Sequence, residues 1–313
     1  MLISIIIAVI LDFTLGDPYS FPHPVKLMGN IINFEEKFIR RIFKSKMGLK
    51  FGGLLIVIVN ISIGFLFPFI ILNKLKDHQI IYNILNIYLI YTCLAARSLH
   101  YEAKKVAQAI EMGIDAARKR LSYIVGRETD KLSEEEVIKA TVETVAENTS
   151  DGVIAPLLFI MLLGAPGGVL YKFVNTMDSM LGYMDKKYKN IGYFPAKVDD
   201  LFNFIPARIT ALLMCISSFK RFDIKNGFKI MVRDRKNHKS PNAVYPEAAV
   251  AGLLNIQLGG DSTYHGQIVK KPTIGDQTNY INKETISNTI EIMYRSEIFM
   301  LIIYLAIYII QIK

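Results

Sequence analysis

Two uncharged runs set the terms for this chain. Residues 51–73 and 79–96 contain no charged side chain, and only Lys74-Leu75-Lys76-Asp77-His78 lies between them. The first is long enough to cross a hydrocarbon core of about 30 Å, and the second nearly so. Two such runs so close together fit membrane spans better than the buried helices of a large soluble core. Composition agrees: 51% of the residues are hydrophobic and the mean hydropathy is positive, which a soluble domain of this length rarely reaches.

Weaker apolar segments extend the pattern. Residues 153–171 are uncharged but carry Pro156 and the break Gly164-Ala165-Pro166-Gly167-Gly168. Residues 298–312 are apolar, and 209–219 can extend back through Pro206 and Arg208. Residues 1–11 lack the basic start and small-residue cleavage site of a signal peptide and read as a mature membrane helix. Strand signals are few. The expected fold is all-α: one polytopic membrane domain over 1–313, with roughly four to six membrane helices and at least one broken by Gly/Pro. Residues 97–152 and 220–295 are its polar segments, placed in the cytoplasm. The first reads as helices, with Ser133 as N-cap ahead of Glu134, Glu135 and Glu136. Whether the chain turns back at 164–168, bringing Asp151 and Asp178 to one side, stays open at this point.

The net charge of +9 does not indicate nucleic acid. Lys37, Arg40, Arg41, Lys44, Lys46 and Lys50 crowd the approach to a span, and 220–239 is similarly basic, which is the positive-inside pattern. No nucleic-acid recognition motif accompanies them. The two cysteines, Cys93 and Cys215, sit in apolar runs and read as packing thiols.

Polar groups beside hydrocarbon are costly, about 3 kcal/mol for a charge at the bilayer centre, so their clusters point to function. Leu15-Gly16-Asp17-Pro18 precedes Pro22-His23-Pro24-Val25, a stiff loop holding His23 extended. Glu143, Glu147 and Asp151 are four apart, so on a helix three carboxylates would stack on one face and repel. A cation relieves that repulsion, and magnesium takes such oxygens. Asn175 and Asp178 share a helix face, and Asp199-Asp200 precedes Arg208, whose guanidinium suits phosphate or carboxylate. Arg235, Lys236, His238 and Ser240, followed by Pro246-Glu247, gather donors for an anion. Gly259-Gly260 and Lys271-Pro272-Thr273-Ile274-Gly275-Asp276 form a turn-rich loop able to approach a ligand closely. Arg127 is a lone cation. A solvated acidic face, an internal Asp–Arg pair and a basic membrane-facing loop are the structural alternatives. Walker A, dinucleotide, zinc-protease and nucleophile-elbow motifs are all missing.

Taken in order, LGDP with HPV, VGRET, ETVAENTSDGVIAPL, GAPGGVLYKFVNTMDSMLGY, DDLFNFIPAR, KNHKSPNAVYPEAAVAG and KPTIGD closely resemble the CobD/CbiB family, adenosylcobinamide-phosphate synthase. The likeness runs from Asp12 to about Asp276. It implies an acid–amine ligase of cobalamin biosynthesis. Such an enzyme joins adenosylcobyric acid to (R)-1-amino-2-propanol O-phosphate, or the free amino alcohol, and consumes ATP. The partners so implied are the corrinoid, the amino-alcohol phosphate, membrane lipid and other cobalamin-assembly enzymes. With that chemistry, Glu143, Glu147 and Asp178 are the catalytic candidates. Glu147, Asp151, Asp178, Asp199 and Asp200 are candidate Mg2+ ligands. His23, Arg127, Asn175, Arg208, Arg235, Lys236, His238 and Ser240 are candidate substrate or phosphate contacts. The sequence departs from the family pattern at Pro195-Ala196-Lys197-Val198, where Lys197 supplies charge without an arginine fork, and at Ala243-Val244-Tyr245. The other class that midplane polar groups on a broken helix suggest is a transporter or corrin-binding scaffold.

Sidedness follows from the charge pattern. With 51–73 and 79–96 both crossing, 97–152 returns to the side of the basic loops, the cytoplasm. Cysteines introduced at Lys131 and Lys239, in a background lacking Cys93 and Cys215, are expected to resist a membrane-impermeant thiol reagent in intact cells and to react in inverted vesicles. Labelling of either from outside contradicts this topology.

Overall fold

The computed structural model describes residues 1–17, 23–183, 185–238, 240–264 and 267–312. Helices dominate it: α1 (Leu2–Leu15), α2 (Pro24–Ile42), α3 (Lys46–Lys74), α4 (Gln79–Tyr91), α5 (Ala96–Met112), α6 (Ile114–Leu121), α7 (Glu134–Thr149), α8 (Ala155–Leu163), α9 (Ala165–Leu181), α10 (Tyr193–Phe202), α11 (Phe204–Ser217), α12 (Ile224–Asp234), α13 (Val244–Leu254) and α14 (Lys283–Ile312). A π-helical segment, Ser150–Ile154, joins α7 to α8. The turn-rich loop after α13 carries short antiparallel strands, β1 (Leu258–Gly259) with β4 (Thr273–Ile274) and β2 (Ser262–Tyr264) with β3 (Gln267–Val269). The chain is an all-α polytopic membrane protein. Among the described residues, four helical stretches are long and apolar enough to cross a bilayer, Lys46–Lys74, Gln79–Met112, Glu134–Leu163 and Lys283–Gln311, and a fifth is available if α10 and α11 form one bent span. α1 rises only about 21 Å over its 14 residues, short of a crossing by itself.

The chain divides into two compact units, Met1–Ala95 with Ala155–Asn203, and Ala96–Ile154 with Phe204–Lys313. In the first, α2, α3 and α9 bury Ile32, Ile39, Ile56, Val57, Val174, Met177 and Leu181 together with Ile191. The expected break in 153–182 falls at Gly164 alone, whose φ of +72° an L side chain resists. Pro166 then stiffens the first turn of α9, and the chain turns back so that α9 packs along α8. Gly167 lies within α9, not in the break. A Cβ there would come 2.4 Å from the Phe159 carbonyl oxygen, so its bare backbone lets the two helices close.

In the second unit α7 packs against α5, α6, α13 and α14. Ser133 caps it: its hydroxyl accepts from the Glu136 N–H at 3.3 Å while Glu136 Oε2 accepts from the Ser133 N–H at 2.7 Å. That reciprocal pair satisfies two otherwise orphaned donors and fixes where the helix starts. α13 is buried along its length, and Asn255, in the left-handed conformation, ends it. The apolar character of this unit's helices thus serves its own core as well as any bilayer.

Gly167→Val tests the α8–α9 contact. Overpacking of this kind costs about 1–3 kcal/mol. The detergent-purified variant is expected to melt at a lower temperature, and an unchanged melting temperature contradicts the close approach.

Candidate functional site

Carboxylates and cations of the second unit converge where α7 meets the loops beside it. Glu143 and Glu147 are one turn apart on α7 and face the same way. Arg127, from the loop before α7, forms an ion pair with Glu143 Oε2. The other oxygen, Oε1, accepts the Gly259 N–H at 2.8 Å. Gly259 has φ +72°, and a Cβ on it would meet the Pro272 carbonyl oxygen at 2.7 Å, so this position of β1 requires glycine. Glu143 therefore ties α7 to the loop and to the strand pair.

Between these elements lies a cavity of about 250 Å³, lined among others by Arg127, Glu143, Glu147, His238, Glu247 and Lys271. Glu247 comes from α13 and is only 5% exposed. Burial first, then the neighbouring Glu143 and Glu147 carboxylates, push its carboxyl well above the usual carboxylate range, with Lys271 and Arg127 opposing. His238 is held below its ordinary value by burial and by the Lys271 ammonium. Its Nδ1 accepts the Ser240 N–H at 3.0 Å, which leaves Nε2 to carry the proton in the neutral ring. The cavity thus combines three acids with cations in one desolvated space.

Among known proteins, a family model described as CobD/Cbib protein matches residues 5–293. The chain belongs to the CobD/CbiB family. It is 56% identical to the "Cobalamin biosynthesis protein CobD" of Clostridium acetobutylicum, with 98% of each chain covered. It is 54% identical to that of Clostridium tetani, covering 97% of this chain and 96% of that one, and 46% identical to that of Listeria monocytogenes serovar 1/2a, covering 96% of each. No solved structure matches it.

In this CobD/CbiB chain the sequence candidates separate into groups. Arg127, Glu143, Glu147 and His238 share the cavity. Asp151, the expected third carboxylate of the stack, is not among its lining residues. It sits in the π-helical segment, where the wider turn breaks the four-residue phase, and Glu247 takes the third place. Arg208 is engaged elsewhere in the second unit. Its guanidinium stacks on Phe204 at 3.6 Å and Tyr245 at 4.3 Å, donates to the Phe204 carbonyl, and reaches Asn242 Oδ1 at 3.3 Å. Arg235 donates to the Val232 carbonyl, Lys236 is exposed, and the Ser240 hydroxyl accepts from the Asn242 and Ala243 N–H groups at 3.3 Å as a turn cap. None of these four lines the cavity. Lys239 lies outside the described residues.

The remaining candidates belong to the first unit. His23 caps α2, with Nδ1 accepting the Val25 N–H at 3.2 Å and Nε2 3.2 Å from Asp17 Oδ1. Asn175, Asp178, Asp199 and Asp200 form a second polar cluster, in which the charges of Asp178 and Asp200 act on Asp199. Asn203 anchors it, donating to Asp199 Oδ2 at 3.0 Å and accepting from the Tyr171 hydroxyl at 2.7 Å. Lys197 lies 3.4 Å from Asp200 at the surface. Of the five expected magnesium ligands, Glu147 and Asp151 belong to the second unit, and Asp178, Asp199 and Asp200 to the first. Among the described residues no group of three or more His, Cys, Asp or Glu side chains has metal-holding geometry.

Sequence reasoning noticed Glu247, Gly259 and Lys271 within its polar clusters but gave none of them a role in the site. A signal existed for Glu247, the one charged residue in an otherwise apolar helix.

The raised Glu247 carboxyl yields a signed prediction. A folded-state pKa above the unfolded one stabilises the fold below the ordinary carboxylate pKa, and that contribution is lost as pH rises through the raised value. Glu247→Gln is therefore expected to raise the melting temperature more in alkaline than in mildly acidic buffer. Equal shifts in both buffers contradict the assignment.

Proposed function

We propose that this chain serves cobalamin biosynthesis as an ATP-dependent amide-forming ligase. It joins the free propionate of adenosylcobyric acid to (R)-1-amino-2-propanol O-phosphate or the free amino alcohol. The family membership supports the pathway, and the names of the relatives carry the word cobalamin. The observation that carries the chemical reading is the second-unit cavity, where Glu143, Glu147 and Glu247 meet Arg127, His238 and Lys271. A zwitterionic amino-alcohol phosphate presents an ammonium and a phosphate, and the cavity offers partners for both.

A carboxylate is a poor acyl donor. Transfer of the ATP γ-phosphoryl group to it gives an acyl phosphate and ADP. The amine then attacks the acyl carbon. The C–N bond forms, the C–O bond to phosphate breaks, and phosphate leaves with the electron pair. Before attack the ammonium must lose a proton, and a carboxylate with raised proton affinity suits that task. Glu143 is poorly placed for it, because Arg127 and the Gly259 N–H occupy both oxygens. The acid–base role goes to Glu247, the carboxyl whose proton affinity is raised, with Glu147 beside it toward the substrate, and Glu143 becomes the residue that positions Arg127. Arg127 and Lys271 hold phosphate oxygens, and neutral His238 donates from Nε2.

Magnesium fits this donor chemistry as an ion shared with phosphate oxygens, since it commonly takes one or two carboxylates and no protein cage is formed among the described residues. Glu147 with Glu247, or Asp178 with Asp200 in the first unit, supply such pairs. When bound, the ion offsets negative charge on the phosphates.

Detergent-purified protein given adenosylcobyric acid, the amino-alcohol phosphate and ATP with magnesium is expected to release ADP and phosphate with one amide formed per ATP. Omission of either organic substrate should abolish ATP consumption. Glu147→Gln and Asp178→Asn are each expected to lower product formation by at least about 100-fold while leaving expression and membrane insertion intact. Wild-type turnover in either variant removes that residue from the chemistry. Binding of the corrinoid without ATP consumption favours a transporter or scaffold.

A further inference from the structure

Apart from the acidic cavity, α5 presents a basic hollow of about 200 Å³ lined by Arg97, His100, Tyr101, Lys104, Lys105 and Gln108. Its level along the second unit can be fixed from two contacts with α14. His100 Nδ1 lies 3.1 Å from the Tyr294 hydroxyl, and Lys283 Nζ lies 3.0 Å from Glu111 Oε1. Equal numbers of residues separate the two contacts on each helix. α5 and α14 therefore run antiparallel and in step, which sets Arg97 level with Glu297. The uncharged run 79–96 ends immediately before Arg97, and the apolar run 298–312 begins immediately after Glu297. α14 turns apolar at this level, and α5 begins there, where the uncharged run ends. That level is where a membrane surface meets the helix pair.

The hollow lies on the polar side of this boundary, at headgroup depth. Arg97 and Lys104 are exposed, two turns apart on one face, and neither forms an ion pair among the described residues. Lys105 is occupied by Glu102 at 3.3 Å and by the Tyr101 ring at 3.9 Å. Tyr101 is 53% exposed beside them, an aromatic ring at the depth where tyrosine and tryptophan collect. Long cationic side chains at this depth reach phosphate while their stems stay against apolar surface.

We propose that Arg97 and Lys104, with the Gln108 amide, bind the headgroup phosphate of an anionic glycerophospholipid. Charge complementarity, the size of the hollow and its depth all select that occupant over a neutral lipid. The inference is independent of the reaction proposed above.

The chain has no tryptophan, so Tyr101→Trp introduces a single fluorescent reporter of the same interfacial type. The full-length protein in detergent micelles is titrated with brominated phosphatidylglycerol or brominated phosphatidylcholine, whose acyl bromines quench a nearby tryptophan. Phosphatidylglycerol is expected to quench at much lower mole fraction. Adding Arg97→Gln and Lys104→Gln should weaken that preference by roughly 30-fold, the effect of losing two interfacial cations. Lys119→Gln with Lys131→Gln, which removes charge elsewhere on the same unit, should leave the preference unchanged. Equal quenching by the two lipids, or a preference that survives Arg97→Gln with Lys104→Gln, overturns the proposal. Release of the bound lipid by an equal concentration of inorganic phosphate also overturns it, because the hollow is then a free-anion site.

Discussion

Glu143 is the fixed point on which the second unit's cavity depends. A carboxylate this buried is stable only when both oxygens have partners, and here each has one. The Arg127 pair brings in the loop before α7, and the Gly259 N–H brings in β1. Remove either and a charge is left desolvated beside Glu147 and Glu247, the arrangement that costs several kcal/mol when one partner of a buried pair is lost. The same two contacts give the cavity walls on different chain segments a common register. A ligand with groups of both signs can then be held without rearrangement.

Glu247 stands in tension with that order. Its helix is apolar and buried, and two other acids lie close. Nothing about folding requires a carboxyl there, since an amide or apolar side chain of similar size relieves the repulsion. A group that lowers stability inside a ligand-sized cavity is the pattern expected of a working site. The first unit carries a milder version at Asp178, Asp199 and Asp200, steadied by the Asn203 amide and the Tyr171 hydroxyl.

Much of this was legible before any coordinates. The two uncharged runs gave α3 and α4, Ser133 with its following glutamates marked the start of α7, and the Gly/Pro cluster located a break that the structure narrows to Gly164. The four-residue spacing correctly paired Glu143 with Glu147. It failed at Asp151 because spacing arguments assume an unbroken α-helix, and one π-helical turn ends the phase. The stacking of the Arg208 guanidinium on two aromatic rings is a tertiary contact that no local pattern announces. Glu247 reaches the cavity from a helix distant in sequence, and the short strands at 258–274 hold the Gly259 N–H in place by long-range pairing. Convergence of this kind belongs to the fold and not to the motif.

The central claim is that substrate occupies the space between Glu143, Glu147 and Glu247. Thr144 lines that space, and its hydroxyl donates to the Ala140 carbonyl of its own helix, at 2.8 Å. Thr144→Cys therefore places a small thiol on the cavity wall in a background lacking Cys93 and Cys215. The most direct measurement is the rate at which a small polar alkylating reagent modifies that thiol, with and without amino-alcohol phosphate, ATP and magnesium. Occupancy of the cavity predicts marked slowing when the ligands are present. An alkylation rate that ignores saturating ligands, in protein that still forms the amide, would contradict the account.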